Sequence, residues 1–169
     1  MKKIHVVAVS VSGLSVLLGV TLIPSASAQE AEHRVTIQSA AVEAALDATP
    51  VPGGQFQLRQ TAPAGTASQQ WVLTDVGQGW SQIRNAESGY CLDGSGNYVL
   101  LMKCASTDDP SQRWKTLPAD AKSVMLTSEA AAEGAVVRGD ITVPGSVMYL
   151  SEPQGDGARF RWKLEDVPS

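Results

Sequence analysis

The groups in this chain that could do chemistry are few. Beyond an apolar leader it holds one histidine, His33, two cysteines, Cys91 and Cys104, and a scatter of acids. A serine hydrolase needs a general base held by an acid. His33 lies near the start of the mature chain, where backbone is often mobile, and no Gly-x-Ser-x-Gly stretch offers a nucleophile elbow. A cysteine nucleophile would require Cys91 or Cys104 to be free. A glycosidase needs two carboxylates facing across a cleft, whereas Asp108-Asp109 and Glu165-Asp166 read as solvated loop and terminal acids. Asp93-Gly94-Ser95-Gly96-Asn97 has the outline of a calcium loop without its acid density or terminal glutamate. With these constellations missing, the chain is read as non-catalytic, with no cofactor and no metal.

The elements that must position any remaining site come next. Lys2-Lys3, the mostly apolar run Val6 to Ile23 and the small residues Ser25-Ala26-Ser27-Ala28 form a signal-peptide pattern, with cleavage expected after Ala28. The competing reading, an uncleaved membrane anchor, would need about 20 uninterrupted apolar residues, and this run ends in Pro24 and small residues. Cleavage leaves residues 29–169, one domain with a formal charge of −6 and a secreted destination. An acidic chain without a basic stripe attracts neither nucleic acid nor an anionic membrane surface. In an exported chain Cys91 and Cys104 are expected to pair. Free thiols acting as metal ligands are the weaker alternative, since one histidine and no further cysteine accompany them.

The body reads as all-β. Phe160, Trp162 and Leu164 alternate with Arg159, Arg161 and Lys163, the pattern of a half-buried strand. Asn97 to Cys104 is nearly all apolar and reads as a strand packed on both sides. Gly94-Ser95-Gly96-Asn97 is a turn, and proline and glycine recur throughout. Ser39 to Asp47 is alanine-rich and helix-like, but a repeat overrides it. Trp71, Trp114 and Trp162 stand 43 and 48 residues apart. Leu46-Asp47 recurs as Leu92-Asp93 and again as Val136-Val137, and Ile37 as Ile83 and Leu126. The turns Pro52-Gly53-Gly54, Gly94-Ser95-Gly96 and Pro144-Gly145 fall in the same interval. Three units, about 32–76, 77–119 and 120–167, each with four strand-like pieces, would close a small barrel with a hairpin cap. In the middle unit the pieces lie near Trp80-Ile83, Tyr90-Leu92, Tyr98-Met102 and Trp114-Leu117.

The two Gln-x-Trp motifs at Gln69-Gln70-Trp71 and Gln112-Arg113-Trp114, the Cys91-Leu92-Asp93 string, and Cys104 eight residues before Gln112 resemble the ricin-type lectin domain, a β-trefoil, in a secreted, bacterial-like form. The resemblance runs from about Glu32 to Val167. It implies that Trp71, Trp114 and Trp162 are core, and that the motif glutamine braces loop backbone. It also implies a shallow sugar site. The aspartate of Cys-Leu-Asp would accept hydroxyl hydrogen bonds, a ring two residues before the second cysteine would stack on the sugar, and an amide would complete the contacts.

This chain departs from that pattern. The middle unit keeps Asp93 but has Met102 at the ring position, then Lys103, with Ser111 before Gln112. The first unit has Asp47, with Arg59 at the ring position. The third has Val137, Leu150 and Phe160 for carboxylate, ring and glutamine. Tyr98 could supply a ring from the hairpin, or be a cross-strand packing partner. Asp93 and Asp47 could equally support turns.

The chain is expected to be a monomer, secreted by its leader, and the resemblance implies a carbohydrate-binding module with a degenerate site: Asp93, Tyr98, Lys103 and Gln112, with Asp47 as a second carboxylate. The competing class is a protein-interaction or inhibitor module on a trefoil scaffold that has lost sugar binding, with contacts from the loops Ala62-Ser68, Ala105-Pro110 and Glu152-Ala158. If Asp93 serves only a sugar, Asp93→Ala should abolish glycan retention and leave the melting temperature unchanged.

Overall fold

The computed structural model describes residues 32–139, 148–155 and 157–168. The expected leader at residues 1–28 and the expected turn at Pro144-Gly145 lie outside the described residues.

Twelve strands are described, four to each unit. The first unit holds β1 (Arg34–Ser39), β2 (Ala45–Val51), β3 (Gln55–Thr61) and β4 (Gln70–Gly77). The middle unit holds β5 (Trp80–Asn85), β6 (Cys91–Asp93), β7 (Tyr98–Met102) and β8 (Trp114–Pro118). The third holds β9 (Val124–Ser128), β10 (Val136–Arg138), β11 (Met148–Ser151) and β12 (Trp162–Asp166).

Six strands close a ring: β1 pairs with β4, β4 with β5, β5 with β8, β8 with β9, β9 with β12, and β12 returns to β1. The other six form three hairpins, β2–β3, β6–β7 and β10–β11. This is a β-trefoil, and ring closure leaves the barrel strands no free edge.

The threefold pattern is set by the tryptophans. Each indole is buried and donates its N–H to one backbone carbonyl: Trp71 to Leu46 at 3.2 Å, Trp114 to Leu92 at 2.9 Å and Trp162 to Val137 at 3.1 Å. The ring fills the space between units while its polar edge is satisfied, as a buried tryptophan requires. Ile37, Ile83 and Leu126 lie beside them in one core. Two residues on, Ser39, Asn85 and Ser128 accept backbone N–H groups of the following turn.

One expectation agrees with the structure and one is corrected. As the repeat required, Ser39 to Asp47 contains no helix: Ser39 ends β1, a tight turn follows, and Ala45 opens β2. Barrel closure outweighs the alanine propensity. The strand at β7 is buried on one face only. Val99 and Leu101 point inward, whereas Tyr98, Leu100 and Met102 are each 42–50% exposed, because the outer face of a hairpin meets water.

One core position breaks the symmetry. Gln60 is opposite Leu46, as Leu101 is opposite Leu92 and Leu150 opposite Val137. It is buried, and neither its amide oxygen nor its amide nitrogen has a hydrogen-bond partner among the described residues. Gly139 makes room for it, since a Cβ there would lie 2.8 Å from the Gln60 nitrogen. Gln60→Leu is therefore expected to raise stability by about 1–2 kcal/mol. A thermal melt should show a gain of about 3–8 °C; an unchanged or lower melting temperature would mean the amide is satisfied.

Candidate functional site

The middle unit assembles a polar knot above the end of β6. The strand stops at Asp93 because Gly94 passes so close to β9 that a Cβ there would lie 2.6 Å from the Ser128 Cβ. The Gly94 N–H donates to the Ser111 carbonyl at 2.8 Å, which ties β6 to the 3₁₀ turn Pro110–Gln112. Asp109 caps that turn, accepting from the Ser111 N–H at 2.9 Å and its hydroxyl at 2.8 Å, while Pro110 needs no partner for its nitrogen.

Gln112 is thereby held inward. Its Nε2 donates to Asp93 Oδ2 and to the Lys103 carbonyl, both at 3.1 Å, and its Oε1 accepts the Ala105 N–H at 2.8 Å. Asp93 is only 6% exposed. Oδ1 accepts the Ser95 N–H at 3.0 Å and the Ser95 hydroxyl, and Oδ2 lies 3.1 Å from the Ser111 hydroxyl, whose single proton it shares with Asp109. The carboxylate therefore supports its turn and also borders an open groove. The two readings of Asp93 are not exclusive, but the first means that Asp93→Ala cannot leave the fold untouched.

The groove has a volume of about 570 Å³. Asp93, Gln112 and Asp109 give it polar groups, and Lys103 adds an ammonium. Met102 and a pair of rings give it apolar wall. Phe56 of the first unit meets Tyr90 edge-to-face, with centroids 5.9 Å apart at 73°. Below the wall Cys91 and Cys104 are joined as a disulfide.

The structure thus brings together Asp93, Lys103 and Gln112. Tyr98 is not brought to them: it sits on the outer face of β7, and its ring packs on Tyr149 at 5.5 Å. The cross-strand reading of Tyr98 is the one the geometry supports. Phe56, Tyr90 and Asp109 were not anticipated. Tyr90, immediately before Cys91, was within reach of sequence inspection. Phe56 comes from another unit, and only the approach of β3 to β7 reveals it.

The sister units carry the same backbone with different side chains. In the first, Asp47 accepts from the Thr49 hydroxyl at 3.4 Å, the Thr61 hydroxyl at 2.7 Å and Gln69 Nε2 at 3.1 Å. Asp47 thus braces its own hairpin. In the third, two assignments shift by register. The indole bonds match Val137 to Leu92, so Arg138, not Val137, stands at the Asp93 position. Hairpin pairing matches Met102 to Thr61 and Ser151, rather than to Arg59 and Leu150. The corrected ring positions still hold no aromatic residue. Phe160 replaces the glutamine and is buried.

The other acids singled out in the sequence lie outside the groove. Asp108 is exposed beside the groove's loop. The Ser106 hydroxyl, then its own backbone and more weakly the Arg113 charge, hold its carboxyl below the usual range. Glu165 accepts from Gln38 Nε2 at 2.9 Å, and Asp166 pairs with His33 at 2.9 Å on the barrel surface.

Residues 23–99 match the family model described as ricin-type beta-trefoil lectin domain-like. Among solved structures, the designed threefold-symmetric protein ThreeFoil is similar, at 18% identity and a TM-score of 0.67, over 79% of this chain and 99% of that one. An exo-beta-1,3-galactanase from Clostridium thermocellum matches at 26% identity and a TM-score of 0.66, over 82% of this chain but 31% of the enzyme. The Polyporus squamosus lectin, solved with the epitope Neu5Aca2-6Galb1-4GlcNAc, matches at 16% identity and a TM-score of 0.62, over 81% of this chain and 50% of the lectin. No curated protein matches the sequence.

Proposed function

We propose that this chain, whose residues 23–99 match the ricin-type beta-trefoil lectin domain-like model, is an exported, non-catalytic module that binds carbohydrate weakly at the middle-unit groove. The family match and the lectin among its structural neighbours support a carbohydrate-binding trefoil. The observation that carries the finer reading is the groove's composition. Hydroxyl-binding groups, Asp93 and Lys103, with Gln112 bracing the carboxylate, stand beside apolar surface from Met102, Tyr90 and Phe56, the pairing a sugar's polar rim and C–H face require.

The groove's acids favour binding over catalysis. Asp93 and Asp109 already accept hydrogen bonds from their own turns, so neither is a free base facing a second free acid. Export rests on the leader and agrees with the disulfide.

Met102 provides the test. It is exposed, and its sister positions hold Thr61 and Ser151, so Met102→Ser should fold as well as the wild type. It is expected to weaken glycan retention about tenfold, equivalent to ~1.4 kcal/mol. Met102→Trp, which restores a ring, should strengthen retention about fivefold or more. Absence of wild-type binding to any glycan at millimolar concentration would end the lectin reading.

A second reading rests on Tyr98, Leu100 and Met102, which form an exposed apolar stripe that the first unit replaces with Gln57, Arg59 and Thr61. Such a stripe suits a protein partner. Leu100→Gln separates the two readings: it should spare sugar retention and abolish protein capture.

A further inference from the structure

The third unit has its own pocket at the place corresponding to the middle groove, and its charges are inverted. The Gly139 N–H donates to the Arg159 carbonyl at 2.9 Å, as the Gly94 N–H does to Ser111 at 2.8 Å. This bond ties the end of β10 to the turn that carries Arg159, and Arg138 and Arg159 stand at the positions held in the middle unit by Asp93 and Ser111. Both arginines line a pocket of about 340 Å³ with Ser151, Glu152 and Gln154, over a floor of Phe160.

Neither guanidinium has an ion-pair partner among the described residues, and Glu152 is the one described acid lining the pocket. The two guanidiniums bring two positive charges to one pocket, and each offers a planar fork of donors matched to a carboxylate. Phe160 removes the amide that braces the other two units and supplies an apolar floor. Glu152 and Gln154 lie at the rim, where they can accept and donate to hydroxyls.

We propose that this pocket binds an acidic sugar, its carboxylate held between Arg138 and Arg159 and its hydroxyls facing Glu152 and Gln154. The site lies in a different unit from the middle groove and does not depend on it. Its openness and small size set the expected affinity in the millimolar range.

Titration of the full mature chain with glucuronate, glucose and acetate, followed by NMR amide shifts at 25–50 mM salt, tests the assignment. Glucuronate should shift residues 150–155 and 157–161 and bind at least tenfold tighter than either control. Arg138→Gln and Arg159→Gln should each reduce glucuronate affinity about tenfold or more, with unchanged melting temperatures. Met102→Ser should leave it intact. Arg138→Gln should in turn leave retention on a neutral glycan intact, so the two sites fail separately. Glucose binding as tightly as glucuronate would overturn the charge argument. Acetate binding as tightly would overturn the sugar. Full glucuronate affinity in the Arg138→Gln/Arg159→Gln double variant would overturn the site.

Discussion

Asp93→Ala is expected to lower stability by about 2–4 kcal/mol, far more than a surface sugar ligand would. The carboxylate is buried and accepts from the Ser95 N–H, the Ser95 hydroxyl and the Gln112 amide. Truncation leaves Gln112 Nε2 with the Lys103 carbonyl alone and strips the Gly94–Asn97 turn of its anchor. Hydrogen bonds to a charged acceptor contribute about 1.5–3 kcal/mol each, and orphaning buried donors adds to the cost. For a domain of this size the melting temperature should fall by roughly 6–15 °C.

Asp47→Ala is the matched control. It too removes an acceptor of a motif glutamine, Gln69, and should lower the melting temperature. It should leave glycan retention intact, since the groove lies in the middle unit. Asp93→Ala should lower both, when retention is measured well below either melting point. A melt of Asp93→Ala within 1 °C of wild type would show that the carboxylate does not brace the turn.

This result separates what the sequence discloses from what it does not. The trefoil was legible because its determinants are local and repeated. Trp71, Trp114 and Trp162 each fill a gap between units, and an apolar residue some two dozen positions earlier accepts the indole N–H. Gln69 and Gln112 were likewise legible as braces. The register of the third unit was not. Its spacing differs from the other two, and a shift of one residue exchanges Val137, in the core, for Arg138, at the surface. That exchange hid the third pocket. The groove's rings were hidden for another reason: Phe56 and Tyr90 are 34 positions apart and meet only because the barrel brings neighbouring hairpins together.

The same alignment explains why only the middle unit is stapled. Register places Pro63 and Pro153 where Cys104 stands, and Ala45 and Val136 where Cys91 stands. Two units thus restrict the chain after the hairpin with a proline, which fixes φ in the unfolded state as well as the folded one. The third solution closes a loop with sequence separation 13. Such a loop contributes about 3 kcal/mol in the chain-entropy model, against roughly 0.4–1 kcal/mol for a proline.

Cys91→Ala with Cys104→Ala is therefore expected to lower the melting temperature by about 9–12 °C. The ladder between β6 and β7 should persist, since Cys91 pairs with Met102 through backbone. What loosens is Lys103 to Ala105, whose carbonyl and N–H hold Gln112, so the wall of the groove should soften before the hairpin does. Cys91→Ala with Cys104→Pro, which copies the sister units, should recover about 2–4 °C of the loss. Dithiothreitol should lower the melting temperature of the wild type and leave both variants unchanged. A proline variant no more stable than the alanine variant would show that the position after β7 does not tolerate proline's φ in the middle unit, and that the disulfide is not interchangeable with the prolines of its neighbours.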